Sequence, residues 1–154
     1  PRPDWAVHVA LAVDGVAVAG AVALPSQGRT LSTLMPSPLP PPPPPRPRVI
    51  VSRTRRPAVA IRLAEALGAD LVEMGSAGAK VAAVVTGDAD IYAHSGGQYE
   101  WDSCAPVAVA VAAGLHVTRI DGGPMLYNNP DPYLPDLLVC HPTLAPAVTA
   151  LLDQ

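Results

Sequence analysis

The stretch Gly87-Asp88-Ala89-Asp90-Ile91-Tyr92-Ala93-His94-Ser95-Gly96-Gly97-Gln98-Tyr99-Glu100-Trp101-Asp102, followed by the Ala/Val-rich run Ser103–Ala113, decides the fold class. Asp90–Ala93 is short, apolar and rich in β formers, which predicts a strand. Gly96–Asp102 reads as a loop, and Ser103–Ala113 as a buried helix closed by Gly114. The same alternation extends in both directions. Upstream, Val49–Val51 reads as a strand. Pro57 then suits a first helical turn, and Val59, Leu63 and Leu67 form an i, i+4, i+8 stripe closed by Gly68. Asp70–Met74 is a further strand, and Gly75-Ser76-Ala77-Gly78 a small-residue turn into a helix over Ala79–Thr86. Downstream come strands at Leu115–Ile120 and Leu137–Cys140, then a closing helix from near Thr143 to the chain end. Strands alternating with helices predict an α/β chain, or α+β in layers.

The first third differs. Residues 5–13 and 16–24 are β-rich and meet at Asp14-Gly15, a strong hairpin signal, with a third short strand expected near Thr30–Leu34. Between Pro36 and Pro47 nine of twelve residues are proline, six of them consecutive, so this stretch must be an extended polyproline-II surface loop. It serves as a stiff spacer inside one domain; as a ligand for an aromatic-lined groove it would support a different function.

Charge and composition narrow the function. With 10 Lys and Arg against 13 Asp and Glu, the chain has no basic stripe to meet a nucleic-acid backbone. No apolar run approaches the roughly 20 residues of a membrane span, and no signal-peptide pattern opens the sequence. The two cysteines, Cys104 and Cys140, lack metal-ligand spacing and read as small buried residues of a reducing compartment. These features together predict a cytoplasmic protein.

Three polar turns stand at helix entrances, where anions bind readily. Gly75-Ser76-Ala77-Gly78 with Lys80 offers close backbone approach and a positive charge. Ser52-Arg53-Thr54-Arg55-Arg56 offers three arginines, either solvated or clamping a phosphate. Asp102 is the lone carboxylate at the head of an apolar helix, and is either an N-cap or a hard oxygen ligand for Mg²⁺.

The order Gly75-Ser76-Ala77-Gly78-Ala79-Lys80, Gly87-x-x-Asp90-x-Tyr92, Trp101-Asp102-x-x-Ala105 and Ala113-Gly114 resembles the C-terminal signature of the inositol monophosphatase superfamily. Lys80, the Ser52-Arg53 turn, residues 96–102 and Asp131–Leu138 are most similar to its 3′(2′),5′-bisphosphate nucleotidases of the actinobacterial CysQ type. The resemblance covers the chain apart from residues 36–47. It implies one partial domain over 1–154, the C-terminal portion of that layered sugar-phosphatase fold, with mixed sheets packed with helices.

The resemblance also implies Mg²⁺-dependent hydrolysis of 3′-phosphoadenosine 5′-phosphate to AMP. Asp102 would be the metal ligand. Gly75, Ser76, Ala77, Gly78, Lys80, Ser52, Arg55 and His94 would lie near a small phosphorylated nucleotide or sugar. His94 stands where inositol phosphatases carry a substrate-binding acid. Inositol-1-phosphate and fructose-1,6-bisphosphate are the alternative substrates, and since relatives are often dimers a homodimer is allowed. One family element is missing: no Asp-Pro-x-Asp-Gly-Thr motif is present, the only Asp-Pro being Asp131-Pro132. The chain is therefore expected to begin just after its catalytic centre, to supply no catalytic residue of its own, and to be inactive alone. Two other classes stay open: a non-catalytic binding domain using the proline loop, and a metal-free sensor of phosphorylated ligands.

Overall fold

A computed structural model describes residues 3–153; Pro1, Arg2 and the expected helix end at Gln154 lie outside the described residues. Strands β1 (Val7–Val13), β2 (Val16–Leu24) and β3 (Arg29–Ser32) form an antiparallel sheet in that order. The β1–β2 hairpin turns at Asp14 (φ 49°) and Gly15 (φ 80°), the paired left-handed conformations that an Asp-Gly turn supplies.

A second sheet has the order β5-β4-β6-β8-β7, built from β4 (Arg48–Ser52), β5 (Asp70–Met74), β6 (Ile91–Tyr99), β7 (His116–Thr118) and β8 (Tyr133–Cys140). β4 runs parallel to β5 and β6, whereas β8 is antiparallel to β6 and β7. Helices α1 (Ala58–Leu67), α2 (Ala77–Thr86), α3 (Glu100–Ala112) and α4 (Ala145–Leu152) complete the chain.

Side-chain alternation along the central strands sets the layers. Ile50, Tyr92, Leu137 and Val139 point to one face, where α2 and α3 separate them from Val22, Leu24 and Leu31 of the small sheet. Val49, Val51, Ile91, Ala93, Leu138 and Cys140 point to the other face and pack against α1 and α4. Buried on both sides, these strands read as continuous apolar runs. The small sheet is covered on one face only. Val7, Val9, Leu11 and Val13 of β1 stay exposed on the face turned away from α3.

Two strands run longer than the sequence pattern suggests. β6 continues through residues 96–99, read as loop from their glycines, because β8 begins at Tyr133 and pairs with it. A bulge at Gly96 (φ 74°) and Gly97 (φ 71°) lets the ladder resume at Gln98↔Leu134 after Ser95↔Asp136. Pro135 falls opposite the bulge, where the ladder needs no donor from it. α3 correspondingly starts at Glu100, three residues before the expected Ser103.

The proline stretch links β3 to β4. Ser37, Pro40 and Pro43 are half-buried while most residues between them are exposed, the three-residue period of a polyproline-II helix lying on one face. His141 Nε2 donates to the Pro40 carbonyl at 3.1 Å and fixes that face to the end of β8. The two cysteines are free, Cys140 buried and Cys104 half-buried, and burial pushes the Cys140 thiol up to about 12. Among the described residues no helix is long and apolar enough to cross a membrane.

Candidate active site

β4, α2, β6 and α3 bring their ends together where β4 and β6, both interior strands of the larger sheet, finish. A cleft of about 260 Å³ opens there, lined by Ser52, Thr54, Arg55, Ala77, Lys80, His94, Gly97, Gln98 and Asp102. Six of the expected site residues are thus gathered in one place: Ser52, Arg55, Ala77, Lys80, His94 and Asp102.

The turn before α2 is placed differently. Gly75 N–H is already engaged by the Asp4 carboxylate, and Ser76 caps α2 by accepting from Ala79 N at 3.3 Å. Gly78 is buried against His8. None of these three lines the cleft, so of the turn only Ala77 does. Ser76 nonetheless holds φ at 52°, an unfavourable value for a side-chain-bearing residue, and that bend aims the start of α2 at the cleft.

Lys80 is 4% exposed. Burial lowers its pKa from 10.5 to about 8, while the charges of Asp4 and Asp102 oppose the shift. Its Nζ stands 5.4 Å from the Tyr92 ring centroid, a cation–π contact that offsets part of the lost hydration. Arg55 donates to the Gly96 carbonyl at 2.9 Å, and the close approach requires glycine next to it: a Cβ on Gly97 would meet Arg55 Nη1 at 2.0 Å. Asp102 lies in the first turn of α3 and accepts from Tyr99 N at 3.0 Å through Oδ2. Tyr99 in turn stacks on Trp101 with centroids 4.7 Å apart, which stiffens the β6–α3 junction that carries the carboxylate.

Gln98, Thr54, Gly97 and Asp4 were not among the expected residues. Gln98 sits inside the quoted Gly-Gly-Gln string, but only the bulge turns it inward. Asp4 accepts from both Arg53 and Gly75 N, so it clamps the residues preceding β1 beside α2. Its carboxyl is held below the usual range, chiefly by the Gly75 backbone bond.

Among the described residues no group of three His, Cys, Asp or Glu side chains could hold a metal ion. A hard cation entering this cleft would find the Asp102 carboxylate and no second one beside it, which is too few oxygens for a complete coordination shell. The cleft as described sets two cationic side chains, Lys80 and Arg55, beside one carboxylate, Asp102.

That charge pattern predicts pH-dependent anion binding. Sulfate, whose own charge is constant here, should bind more weakly as pH rises through about 8, because Lys80 loses its proton. Lys80→Met should weaken binding about tenfold to a hundredfold at pH 7 and flatten the profile. An unchanged affinity in a calorimetric titration would remove Lys80 from the anion site. Stability should run the opposite way: the unfolded lysine keeps its proton up to 10.5, so the unfolded chain binds more protons between about 8 and 10.5 and stability rises over that window.

The inositol monophosphatase family model matches residues 48–153. The chain belongs to the inositol monophosphatase family. It is 44% identical over 165 aligned residues to a Mycobacterium leprae protein named 3′-phosphoadenosine 5′-phosphate phosphatase, covering 99% of this chain and 61% of the relative. A Mycobacterium bovis protein of the same name is 47% identical, with 94% of this chain and 57% of the relative covered. The chain therefore spans about three fifths of the length of these curated relatives.

Two solved structures show the family fold. Bacteroides thetaiotaomicron CysQ superposes with a TM-score of 0.78 at 21% identity, over 90% of this chain and 63% of the other. A Zymomonas mobilis inositol monophosphatase gives 0.79 at 14% identity, over 99% and 64%.

Proposed function

We propose that this chain is the C-terminal part of a Mg²⁺-dependent phosphomonoesterase that converts 3′-phosphoadenosine 5′-phosphate to AMP and phosphate. The observation that carries the reading is the convergence of Lys80, Arg55, His94 and Asp102 on one cleft, in a chain 44–47% identical to relatives bearing that substrate's name. Hydrolysis moves the phosphoryl group from the ribose 3′-oxygen to a water oxygen; the ester P–O bond breaks and the 3′-oxygen leaves with a proton. Lys80 and Arg55 supply fixed positive charge against the phosphoryl oxygens, where charge is spread in the transition state. The start of α2 adds its partial positive end. Asp102 would contribute one carboxylate to a Mg²⁺ site, and the metal would supply charge neutralisation and a more acidic water there.

The remaining carboxylates would come from residues preceding Asp4. Because Asp4 is bonded to Gly75 and Arg53, a segment preceding it would enter the domain beside the cleft.

A direct test is phosphate release from 3′-phosphoadenosine 5′-phosphate, inositol-1-phosphate and fructose-1,6-bisphosphate by a version extended to the relatives' full length, next to the 154-residue chain. The extended protein should prefer the nucleotide by at least tenfold in kcat/KM, and the chain alone should release no phosphate above background. Turnover by the purified 154 residues, or preference for either sugar phosphate, would overturn the respective part of the reading.

A further inference from the structure

The proline stretch is the sequence feature that the cleft leaves unused, and it crosses the opposite end of the domain. Helix α2 starts at the cleft with Ala77 and ends at Gly87, where Pro40 lies against it. A Cβ on Gly87 would come within 3.2 Å of the Pro40 ring, so the seat is close-fitting. The Pro40 carbonyl accepts from His141 Nε2 at 3.1 Å, which pins the stretch to the end of β8.

In a polyproline-II helix every third residue returns to the same side. Pro40 and Pro43 are half-buried on the domain side, and Pro41, Pro42, Pro44 and Pro45 are exposed. The seat on the domain therefore uses one side of the helix and leaves two Pro-Pro pairs, three residues apart, on the others. Pro41 with Pro44, and Pro42 with Pro45, are two overlapping PxxP spacings that both face outward.

The chemistry of this ridge limits what can dock on it. Proline has no N–H, so Pro40–Pro45 offers carbonyl acceptors and ring faces, with no donor and no charge. A β-strand cannot add to it, because a ladder takes donors from both chains. A partner must bring every hydrogen-bond donor itself, together with flat apolar surface for the rings. Tyr and Trp combine the two in one side chain. Grooves lined by such aromatics are the ones that read PxxP spacing. Because the ridge is already extended and pinned, docking costs it little conformational freedom.

We propose that the outward side of Pro41–Pro45 is a docking surface for a protein domain with a groove lined by Tyr and Trp. The inference is independent of the nucleotidase reading above. The ridge and the cleft stand at opposite ends of α2, so a docked domain leaves the cleft open.

The test titrates the 154-residue chain into three ¹⁵N-labelled probes that carry such a groove: an SH3, a WW and an EVH1 domain. In at least one of them the indole N–H of the groove tryptophan should shift and saturate, with a Kd on the order of 100 μM. A decaproline peptide should displace the chain, a readout that needs no variant. Pro41→Ser, Pro42→Ser, Pro44→Ser and Pro45→Ser together should weaken binding about tenfold or more, while the amide spectrum of that variant keeps its native dispersion. Pro40→Ala with Pro43→Ala, on the side facing the domain, should leave the affinity within about threefold. No shift in any of the three probes at up to about 1 mM chain overturns the proposal. Binding that survives the four serines, or that decaproline does not displace, puts the contact elsewhere and overturns it too. Loss of binding in the Pro40 and Pro43 pair alone would mean that the groove takes the inward side, against the assignment of the outward prolines.

Discussion

Asp90→Ala should lower the unfolding free energy by about 2–4 kcal/mol, read from urea denaturation of the 154-residue chain. Asp90 belongs to the Gly-x-x-Asp-x-Tyr string that carries part of the family resemblance, yet it stands at the opposite end of β6 from the cleft. Its carboxylate is almost fully buried and accepts from Arg48 N at 2.7 Å, Arg48 Nε at 2.9 Å and Arg48 Nη2 at 2.9 Å. The same guanidinium donates to the Gly87 carbonyl at 2.8 Å, and His141 N donates to the Asp90 carbonyl at 3.0 Å. One residue thus ties the start of β4, the end of α2 and the end of β8. Alanine would leave a buried N–H and a half-buried cation without their acceptor, and that unmet demand sets the size of the loss. Asp90→Asn keeps an acceptor for Arg48 N but loses the charge, so it should cost about half as much. A loss below about 1 kcal/mol for Asp90→Ala, the range of exposed ion pairs, would mean that Arg48 is well solvated without it.

The alternation of strands and helices was legible because each central strand is buried on both faces and the first three helices stop at or next to a glycine, Gly68, Gly87 and Gly114. Asp102 stands out in the sequence as the lone carboxylate heading an apolar helix and Lys80 as the positive charge following the Gly75–Gly78 turn, and both line the cleft. What escaped depends on pairing across distance. Gln98 looks like loop because Gly96-Gly97 breaks the alternation, and only Leu134 and Tyr133, some thirty-five residues on, restore the strand and turn the side chain inward. Asp4 carries no signal in the sequence, and only the fold sets it against Gly75. The Gly75–Gly78 turn looked like an anion cradle because small residues permit close approach. The structure has already assigned the Gly75 N–H to Asp4 and the Ala79 N–H to Ser76, an internal bonding pattern that spacing alone does not reveal.

The cleft combines cations that attract phosphate with a carboxylate that repels it, and this opposition makes Asp102 the most informative position. In a version extended to the relatives' full length, Asp102→Asn should lower Mg²⁺-dependent phosphate release by about two to three orders of magnitude. Asparagine keeps a carbonyl oxygen for the 3.0 Å bond from Tyr99 N, so the first turn of α3 stays capped and stability should change by less than about 1 kcal/mol. What it loses is the negative charge a hard cation requires. On the 154-residue chain without metal the same substitution should act in the other direction. Sulfate binding should hold or tighten, since one repulsive charge is gone, while the Lys80 pKa falls further without Asp102 to support it. A purely structural Asp102 predicts instead that turnover falls only with the folded fraction, since asparagine keeps the cap. Measuring turnover, sulfate affinity and urea stability on the same substitution therefore separates a metal ligand from a helix cap, because only the ligand gives lost turnover with retained anion binding and a retained fold.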